Sequence, residues 1–427
     1  MLEKYTNKAR SLVLSSTAKD TYILFSGNLV SAFSGFVFTI LIARAITVAE
    51  FGVFSAANNF IFILVAVTDL GIASGIVNFV AEAYAKGDIK RANIYIKASF
   101  LIRFWITLVI SLLVVVIAPH FSETLFASSD PRVSMWVAII LMLTLFTTFF
   151  PFVLQGKKQF LKSVITELSL SVGRVIILIA MIALGSISMY YAFGAFAFAG
   201  LFSLITGLIF VGTDWIKVRT TKDIYRKVIS FSGWIGVNRV VSSIAGRLDV
   251  QMLASMVGAT ATGFYSIPSR LALFVVVLGS SFSAVLAPRL AAFNDIDKER
   301  EYLKKATLAM IPIVVGIVVW IIIAEPFMLL LFGEKYLPAV GVFQALTASM
   351  IPFVLAVPAV TAIIYAMKKT VYIGVFSIFQ LIITFSLNLW LIPKYNLYGP
   401  TITYFIVNGS LMIYAWVIII RRYRVKK

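Results

Sequence analysis

The sequence contains no cysteine, and its only histidine is His120. Without cysteine the chain forms no disulfide and has no thiolate for catalysis or metal binding. A single histidine excludes the zinc motifs that need two histidines on one helix face, such as HExxH. The sequence also lacks a P-loop and a GxGxxG fingerprint, so neither ATP hydrolysis nor dinucleotide binding is expected. We therefore predict a protein with no metal site and no cofactor.

Charged residues are scarce as well: they make up 13% of the chain, against 61% hydrophobic residues. A soluble domain has about 25% charged residues. Runs of 18 or more mostly apolar residues recur along the whole length, and each is long enough to cross a bilayer. The composition predicts an all-α polytopic membrane protein with twelve transmembrane helices. The predicted spans are 22–43, 51–83, 98–118, 133–154, 161–184, 190–212, 228–256, 263–290, 305–324, 338–366, 370–392 and 399–420.

Basic residues outnumber acidic ones, 37 to 18. They cluster between the spans, which indicates the positive-inside rule rather than binding to nucleic acid. One side of the membrane receives both termini and the basic segments 86–97, 157–162, 217–227, 298–305 and 368–369. The other side receives only Arg44, Arg132, Lys335 and Lys394. This asymmetry predicts an even number of spans, in the cell membrane, with both termini in the cytoplasm.

Short motifs recur in the same order in the two halves of the sequence. FSG at 25–27 recurs at 231–233, KAS is matched by KAT, and IAPHFSETLF is matched by IAEPFMLLLF, all at a nearly constant offset. The repeat predicts two similar six-helix lobes of one orientation around a central cavity. The predicted division is residues 1–213, a basic cytoplasmic linker at 214–227, and residues 228–427. The linker matches the anionic surface of the cytoplasmic leaflet, so membrane lipids are expected partners.

Six arginines fall inside the predicted spans. Arg103 and Arg289 lie near cytoplasmic ends, where snorkelling to the interface is the simpler interpretation. Each of the others would cost roughly 2.5–3.5 kcal/mol if it faced lipid. We therefore predict that they face a hydrated cavity and bind an anionic cargo, since guanidinium groups pair with phosphate and carboxylate. These predicted substrate-binding residues are Arg174, Arg239, Arg247 and Arg270.

Three carboxylates in the spans are candidates for coupling or for structural roles. Glu167 shares a helix face with the arginine seven residues later, Arg174, so a standing ion pair is an alternative to cargo binding. Asp249 could pair in the same way with Arg247 or Arg270. Asp69 precedes Gly71, and two interpretations stand side by side. It either responds to a proton or cation such as sodium, or caps a helix after a break. The coupling interpretation predicts that Asp69→Asn keeps the fold but slows transport.

Three stretches resemble the polysaccharide transporter family: LIARAITVAEFGVFSA at 41–56, DLGIASGIVNFVAEAYAKGD at 69–88 and LQGKKQF at 154–160. That family includes the O-antigen and related lipid-linked oligosaccharide flippases. Its superfamily also holds the lipid II flippases and the multidrug-and-toxin extruders. The resemblance implies a V-shaped cavity that opens alternately to the two faces. It also implies that a polyprenyl-pyrophosphate-linked oligosaccharide moves from the cytoplasmic to the outer leaflet.

One departure from this pattern concerns the first span. Lipid II flippases have arginines there that contact pyrophosphate, whereas this chain has none before Arg44. By the resemblance, that contact would fall to Arg174, Arg239 or Arg270, and the cargo would be a lipid-linked glycan other than lipid II.

Two other functions compete with the flippase. A cation-coupled multidrug or small-molecule exporter on the same scaffold would need an acidic or aromatic cavity rather than a basic one. A membrane enzyme would need a larger outer loop than the segments near 119–132 and 325–337. We therefore predict a transporter, not an enzyme.

Overall fold

A computed structural model describes residues 16–185, 188–293 and 295–425, and every regular element in these ranges is a helix. The basic groups before residue 16 and the last two lysines lie outside the described residues. The α-helices are α1 (Ser16–Ala45), α2 (Val48–Asp69), α3 (Ile72–Ala85), α4 (Ile89–Phe126), α5 (Pro131–Gly156), α6 (Phe160–Ala183), α7 (Met189–Val211), α8 (Asp214–Lys217), α9 (Lys222–Ala245), α10 (Leu248–Met256), α11 (Ala259–Ala292), α12 (Ile296–Leu308), α13 (Ile311–Ile322), α14 (Ala324–Phe332), α15 (Val340–Tyr365), α16 (Thr370–Tyr395) and α17 (Gly399–Val425). Short 3-10 helices cover Glu334–Ala339 and Asn396–Tyr398.

The apolar helices are long enough to cross a membrane. Ten helical segments of the described residues meet that test, and α9 is an eleventh if its two parts, bent by 45°, form one span. The segment Thr370–Arg424 contains two helices, α16 and α17, with a 3-10 turn between them. The structure is therefore an all-α polytopic membrane protein, and its helices are compatible with twelve crossings.

Two of the predicted spans are broken beside a glycine. The span predicted at 51–83 is interrupted because Leu70 and Gly71 adopt positive φ angles of 42° and 76°. A left-handed residue cannot continue a right-handed helix, so α2 ends before this point and α3 begins after it. The span predicted at 228–256 is divided at Gly246 and Arg247, between α9 and α10.

The break between α2 and α3 is packed against α9 through two glycines. A Cβ atom on Gly71 would lie 2.6 Å from the carbonyl oxygen of Ser232, which faces it on α9. A Cβ atom on Gly236 would overlap the carbonyl group of Leu70. Only glycine permits this approach of two backbones, and Gly71 also needs its positive φ. The two glycines therefore set where α9 crosses the break.

Replacing Gly236 with alanine is expected to lower the free energy of unfolding by about 1–3 kcal/mol, the usual cost of inserting a methyl group into a packed core. The added Cβ would meet backbone atoms of Leu70, which cannot move aside as a side chain can. Thermal unfolding of the purified protein measures the effect. Gly233→Ala on the same helix is the matched control, since none of the described residues lies within 4 Å of a Cβ there. Equal stability of the two variants would contradict the close packing.

Side-chain caps fix the starts of three helices. Asp88 accepts a hydrogen bond from the backbone N–H of Arg91 at the start of α4, and Asp130 accepts one from Arg132 at the start of α5. Asp295 does the same at the start of α12. A capping carboxylate satisfies an N–H group that has no partner within its own helix. The guanidinium of Arg132 also lowers the pKa of Asp130, so this cap remains charged in acid.

The chain forms two compact units. The first comprises residues 1–47 and 57–247, as far as they are described, and the second comprises residues 48–56 and 248–427. In the first unit, α3, α4, α5, α7 and α8 bury a cluster that includes Ile76, Phe149 and Trp215. In the second unit, α11, α15 and their neighbours bury clusters around Tyr265 and Ile363. The division into lobes 1–213 and 228–427 stays a prediction; by its contacts, α9 groups with the first unit.

Candidate functional site

Asp69 is the last residue of α2, and its carboxylate lies beside the break at Gly71. Its Oδ1 atom accepts a hydrogen bond of 3.1 Å from the backbone N–H of Ala73 in the first turn of α3. The side chain is only 8% exposed. Asp69 therefore caps α3, as one of the two interpretations of the sequence predicted.

Arg239 on α9 reaches the other oxygen of this carboxylate. Its Nη1 atom is 2.7 Å from Asp69 Oδ2, and its Nη2 atom donates to the hydroxyl of Ser74 at 3.2 Å. The glycine contact explains the register, because Asp69 lies two residues before Gly71 and Arg239 lies three residues after Gly236. The Arg239 side chain is 41% exposed, so one side of the guanidinium is held and the other is accessible.

Arg103 on α4 approaches the same carboxylate from the protein interior. Its Nη1 atom is 3.5 Å from Asp69 Oδ1, and its Nη2 atom donates to Thr148 on α5 at 2.8 Å. The side chain is 1% exposed, so the snorkelling interpretation is wrong. The reason is that α4 begins at Ile89, well before the predicted start of this span, which places Arg103 roughly 20 Å along the helix.

Two guanidinium groups and one carboxylate form what we call the Asp69 cluster: Asp69, Arg103 and Arg239. The two arginines share a single counter-ion, so the cluster has one excess positive charge. Nε and Nη1 of Arg103 make no hydrogen bond with any described residue. This arginine therefore depends on the electrostatic attraction of Asp69 more than on hydrogen bonds. The accessible part of the excess charge is on Arg239.

Arg174 on α6 belongs to the same unit but has different surroundings. Its guanidinium carbon lies 5.1 Å from the ring centre of Phe38 and 5.3 Å from that of Phe196. Gly35 leaves room for it, since a Cβ there would be 2.9 Å from Arg174 Nη2. Among the described residues no ion pair joins it to Glu167, so the pair suggested by their spacing is absent. Aromatic faces stabilise a cation by about 0.5–2 kcal/mol each without neutralising it.

The other two predicted arginines also stack on aromatic rings. Arg247, between α9 and α10, lies 4.4 Å from the ring centre of Phe62 and donates to Asn59 at 3.4 Å. In the second unit, Arg270 on α11 lies 5.8 Å from the ring centre of Phe51.

Asp249 on α10 is buried in the second unit and is held by phenol groups. The hydroxyl of Tyr265 donates to its Oδ2 atom at 2.7 Å, and Tyr404 is a further hydrogen-bonding partner. The carboxylate therefore links α10 to α11 and α17. This arrangement supports a structural role for Asp249.

Of the predicted site residues, the structure brings Asp69 and Arg239 into contact. Sequence reasoning missed Arg103, Ser74 and Thr148 as members of this site. The only available signal was that Arg103 is a charged residue inside an apolar stretch, which applied to all six arginines. Its partner lies on another helix, and no local pattern specifies that contact.

The profile of the family described as "Polysaccharide biosynthesis protein" matches residues 17–294. A curated relative from Shigella flexneri named "Putative O-antigen transporter" is 23% identical over 213 residues, which is 48% of this chain. The match covers 50% of the length of that relative. The name of this relative describes a transporter.

Two solved structures share the fold over nearly the whole chain. An inward-facing multidrug resistance MATE family transporter of the MOP superfamily aligns with a TM-score of 0.73 and 12% identity, covering 93% of this chain and 94% of that one. The lipid II flippase MurJ, in an inward closed conformation, aligns with a TM-score of 0.71 and 15% identity, covering 95% of this chain and 88% of that one. At such identities the likeness establishes the fold and not the cargo.

Proposed function

The chain belongs to the polysaccharide biosynthesis protein family, and from this membership we propose that it is a flippase for a lipid-linked oligosaccharide. In this proposal the oligosaccharide is attached to polyprenyl pyrophosphate and moves from the cytoplasmic to the outer leaflet by alternating access. The observation that supports it is the Asp69 cluster, in which Arg239 is an accessible guanidinium with excess positive charge.

A pyrophosphate group fits this cluster chemically. Asp69 already neutralises one of its two arginines, so an anion that approaches Arg239 meets a net attraction. Guanidinium binds phosphate oxygens through two parallel hydrogen bonds, which a point charge does not provide. Arg174 offers a second guanidinium in the same unit that pairs with no carboxylate of the described residues. We include it in the proposed substrate site, together with Arg247 and Arg270 as further arginines of the spans.

The same geometry suggests how binding is coupled to an ion. Arg239 cannot direct the same N–H groups to both Asp69 and a pyrophosphate, so cargo binding would weaken its bond with the carboxylate. Asp69 would then keep only Arg103 as counter-ion, its Oδ2 atom would become available to a proton or a sodium ion, and its changed contacts would act on the α2–α3 break. Glu167 is a second candidate for coupling. A ligand shifts such an equilibrium only as far as its affinities for the two states differ.

The test is transport by the purified chain in lipid vesicles. A fluorescent lipid-linked oligosaccharide is incorporated, and a lectin that cannot cross the bilayer captures glycans that reach its side. We expect glycan translocation above that of protein-free vesicles, with no uptake of a cationic dye such as ethidium by the same vesicles. Dye transport without glycan translocation would overturn the proposal in favour of a multidrug or small-molecule exporter.

The charge asymmetry of the loops predicts that both termini lie in the cytoplasm. A reporter that fluoresces only in the cytoplasm should therefore be active when fused after Lys427. A reporter that needs export, such as alkaline phosphatase, should be inactive there and active when inserted near Ser128, in the short loop between α4 and α5. The reverse pattern would invert the proposed orientation and with it the direction of transport.

A further inference from the structure

The second unit has a pocket of about 700 Å³ between α12 and the last turns of α17. It is far larger than a packing defect and lies within the range of ligand sites, roughly 300–1,000 Å³. None of the residues that line it belongs to the Asp69 cluster or to the predicted transport residues. The pocket therefore needs an explanation that does not depend on the proposed cargo.

The wall of the pocket changes from cationic to apolar along its length. Its charged end has Arg300 and Lys304 from α12 and Arg424 from α17. Its apolar end has Leu308 on α12 and Trp416 on α17. On each helix the charged and apolar ends are eight residues apart, which is about 12 Å at 1.5 Å per residue. α12 enters the membrane from the side at which α17 ends, so the two gradients run in the same direction.

The cationic end has no carboxylate among its described lining residues. Two carboxylates flank Arg300 in sequence. Glu299 is buried and accepts hydrogen bonds from Arg422 at 2.6 Å and from Tyr423, which itself lines the pocket, at 3.1 Å. Glu301 is paired with Lys305 at 2.6 Å on the exposed face. The ion pairs of these two carboxylates are with Arg422 and Lys305, so the three cations that line the pocket exceed the negative charge near them, and an anion would lessen their repulsion.

The apolar end of the pocket has an anchored tryptophan ring and partly uncovered apolar side chains. The indole N–H of Trp416 donates to the backbone carbonyl of Leu355 at 3.0 Å, which fixes the ring. Leu308 and Ile420 are 62% and 46% exposed, so apolar surface remains uncovered along the pocket. A soluble phosphate would satisfy the cations and leave this surface bare. A molecule with both a phosphate and hydrocarbon chains would cover both.

We propose that this pocket binds one anionic diacyl phospholipid from the leaflet that surrounds the end of α17. The distribution of basic residues makes this the cytoplasmic leaflet. The headgroup phosphate lies against Arg300, Lys304 and Arg424, and the acyl chains follow Leu308 and Trp416. Basic pockets between transmembrane helices on the cytoplasmic side suit such headgroups. The lipid would tie α12 to α17, and this role is independent of what the protein transports.

The experiment uses the purified full chain with phosphatidylglycerol as the anionic probe and phosphatidylcholine as the neutral one. Native mass spectrometry counts the retained lipid, and thermal unfolding measures stabilisation. The test variant is R300Q/K304Q/R424Q. The matched control, K298Q/K305Q/R421Q, removes the same charge from the same two helices at positions that do not line the pocket. We expect phosphatidylglycerol to bind the test variant at least about tenfold more weakly than the unchanged protein. The control variant should retain the lipid.

Two further measurements separate the lipid from other anions. Glycerol phosphate has the same phosphate chemistry without acyl chains, and it should leave the melting temperature unchanged. Leu308→Gln should weaken retention of phosphatidylglycerol while leaving all three cations in place. Equal loss in the test variant and the control would overturn the proposal, because it would show that only overall surface charge matters. Preferential retention of a polyprenyl phosphate over phosphatidylglycerol would also overturn it, by assigning the pocket to a carrier lipid.

Discussion

Replacing Asp69 with asparagine is expected to lower the free energy of unfolding by about 3–5 kcal/mol, the cost of breaking a buried ion pair from one side. Arg103 is 1% exposed and 3.5 Å from this carboxylate, and it has one side-chain hydrogen bond, to Thr148. Without Asp69, a buried guanidinium keeps its charge and loses its counter-ion. Arg239, at 41% exposure, can turn to water and loses far less.

Thermal unfolding in detergent measures this effect, and Glu167→Gln is the matched control. Glu167 is a half-buried carboxylate in the same unit, and no ion pair of the described residues involves it. Its replacement should change the melting temperature much less than that of Asp69.

The pairing itself is tested by a double-mutant cycle. D69N/R103M removes both buried charges and should recover most of the stability that D69N loses, because methionine fills much of the arginine volume without a charge. R103M alone should cost less than D69N, since Asp69 keeps Arg239 and the N–H of Ala73. A strictly additive cycle would show that Asp69 and Arg103 do not interact.

From the sequence alone, the coupling interpretation predicted that Asp69→Asn keeps the fold. As an isolated carboxylate in its span, Asp69 suggested a coupling residue that could be neutralised without harm to the fold. The structure shows that it caps α3 and serves as counter-ion to two arginines. A role in coupling therefore has to be measured in a background that keeps the fold, such as D69N/R103M.

The helices could be predicted from the sequence because their signal is local. A run of about 20 apolar residues is itself the reason that a segment enters the membrane, so composition and helix positions have one cause. The breaks were harder to predict. Gly71 indicated a possible break, but the α9 backbone that packs against it lies more than 150 residues away in sequence.

Residues of the candidate site could be predicted from the sequence, but their contacts with one another could not. Asp69 and Arg239 stood out because charges are costly in a membrane, yet their contact joins positions 170 residues apart. Arg103 was misjudged because the start of its helix was placed too late. For Arg174, helical spacing favoured Glu167, but the structure places its guanidinium beside the rings of Phe38 and Phe196. A spacing of seven residues permits contact on one helix and cannot exclude a better partner on another.

The second large effect concerns Arg239 and separates transport from stability. Arg239→Ala is expected to leave a folded protein, because Arg103 continues to neutralise the buried charge of Asp69. Glycan transport should fall by about 10- to 100-fold, which corresponds to the loss of roughly 1.5–3 kcal/mol from hydrogen bonds to a charged group. Arg239→Lys keeps the charge but loses the two parallel N–H groups that bind phosphate, so its transport should lie between those of alanine and arginine.

The measurement combines export of surface glycan in cells with the vesicle assay, at protein levels checked by immunoblotting. Arg226→Ala is the matched control, because Arg226 is an exposed arginine at the start of the same helix, α9. Arg226→Ala should retain transport.

If Arg103 and Arg239 acted only as a structural pair around Asp69, transport in Arg239→Ala would fall only in proportion to the loss of folded protein. A well-folded, inactive Arg239→Ala with a partly active lysine variant is the pattern expected of a guanidinium that binds the cargo. Full transport by Arg239→Ala would remove this residue from the mechanism and make Arg174, whose guanidinium lies beside the rings of Phe38 and Phe196, the next candidate for the pyrophosphate contact.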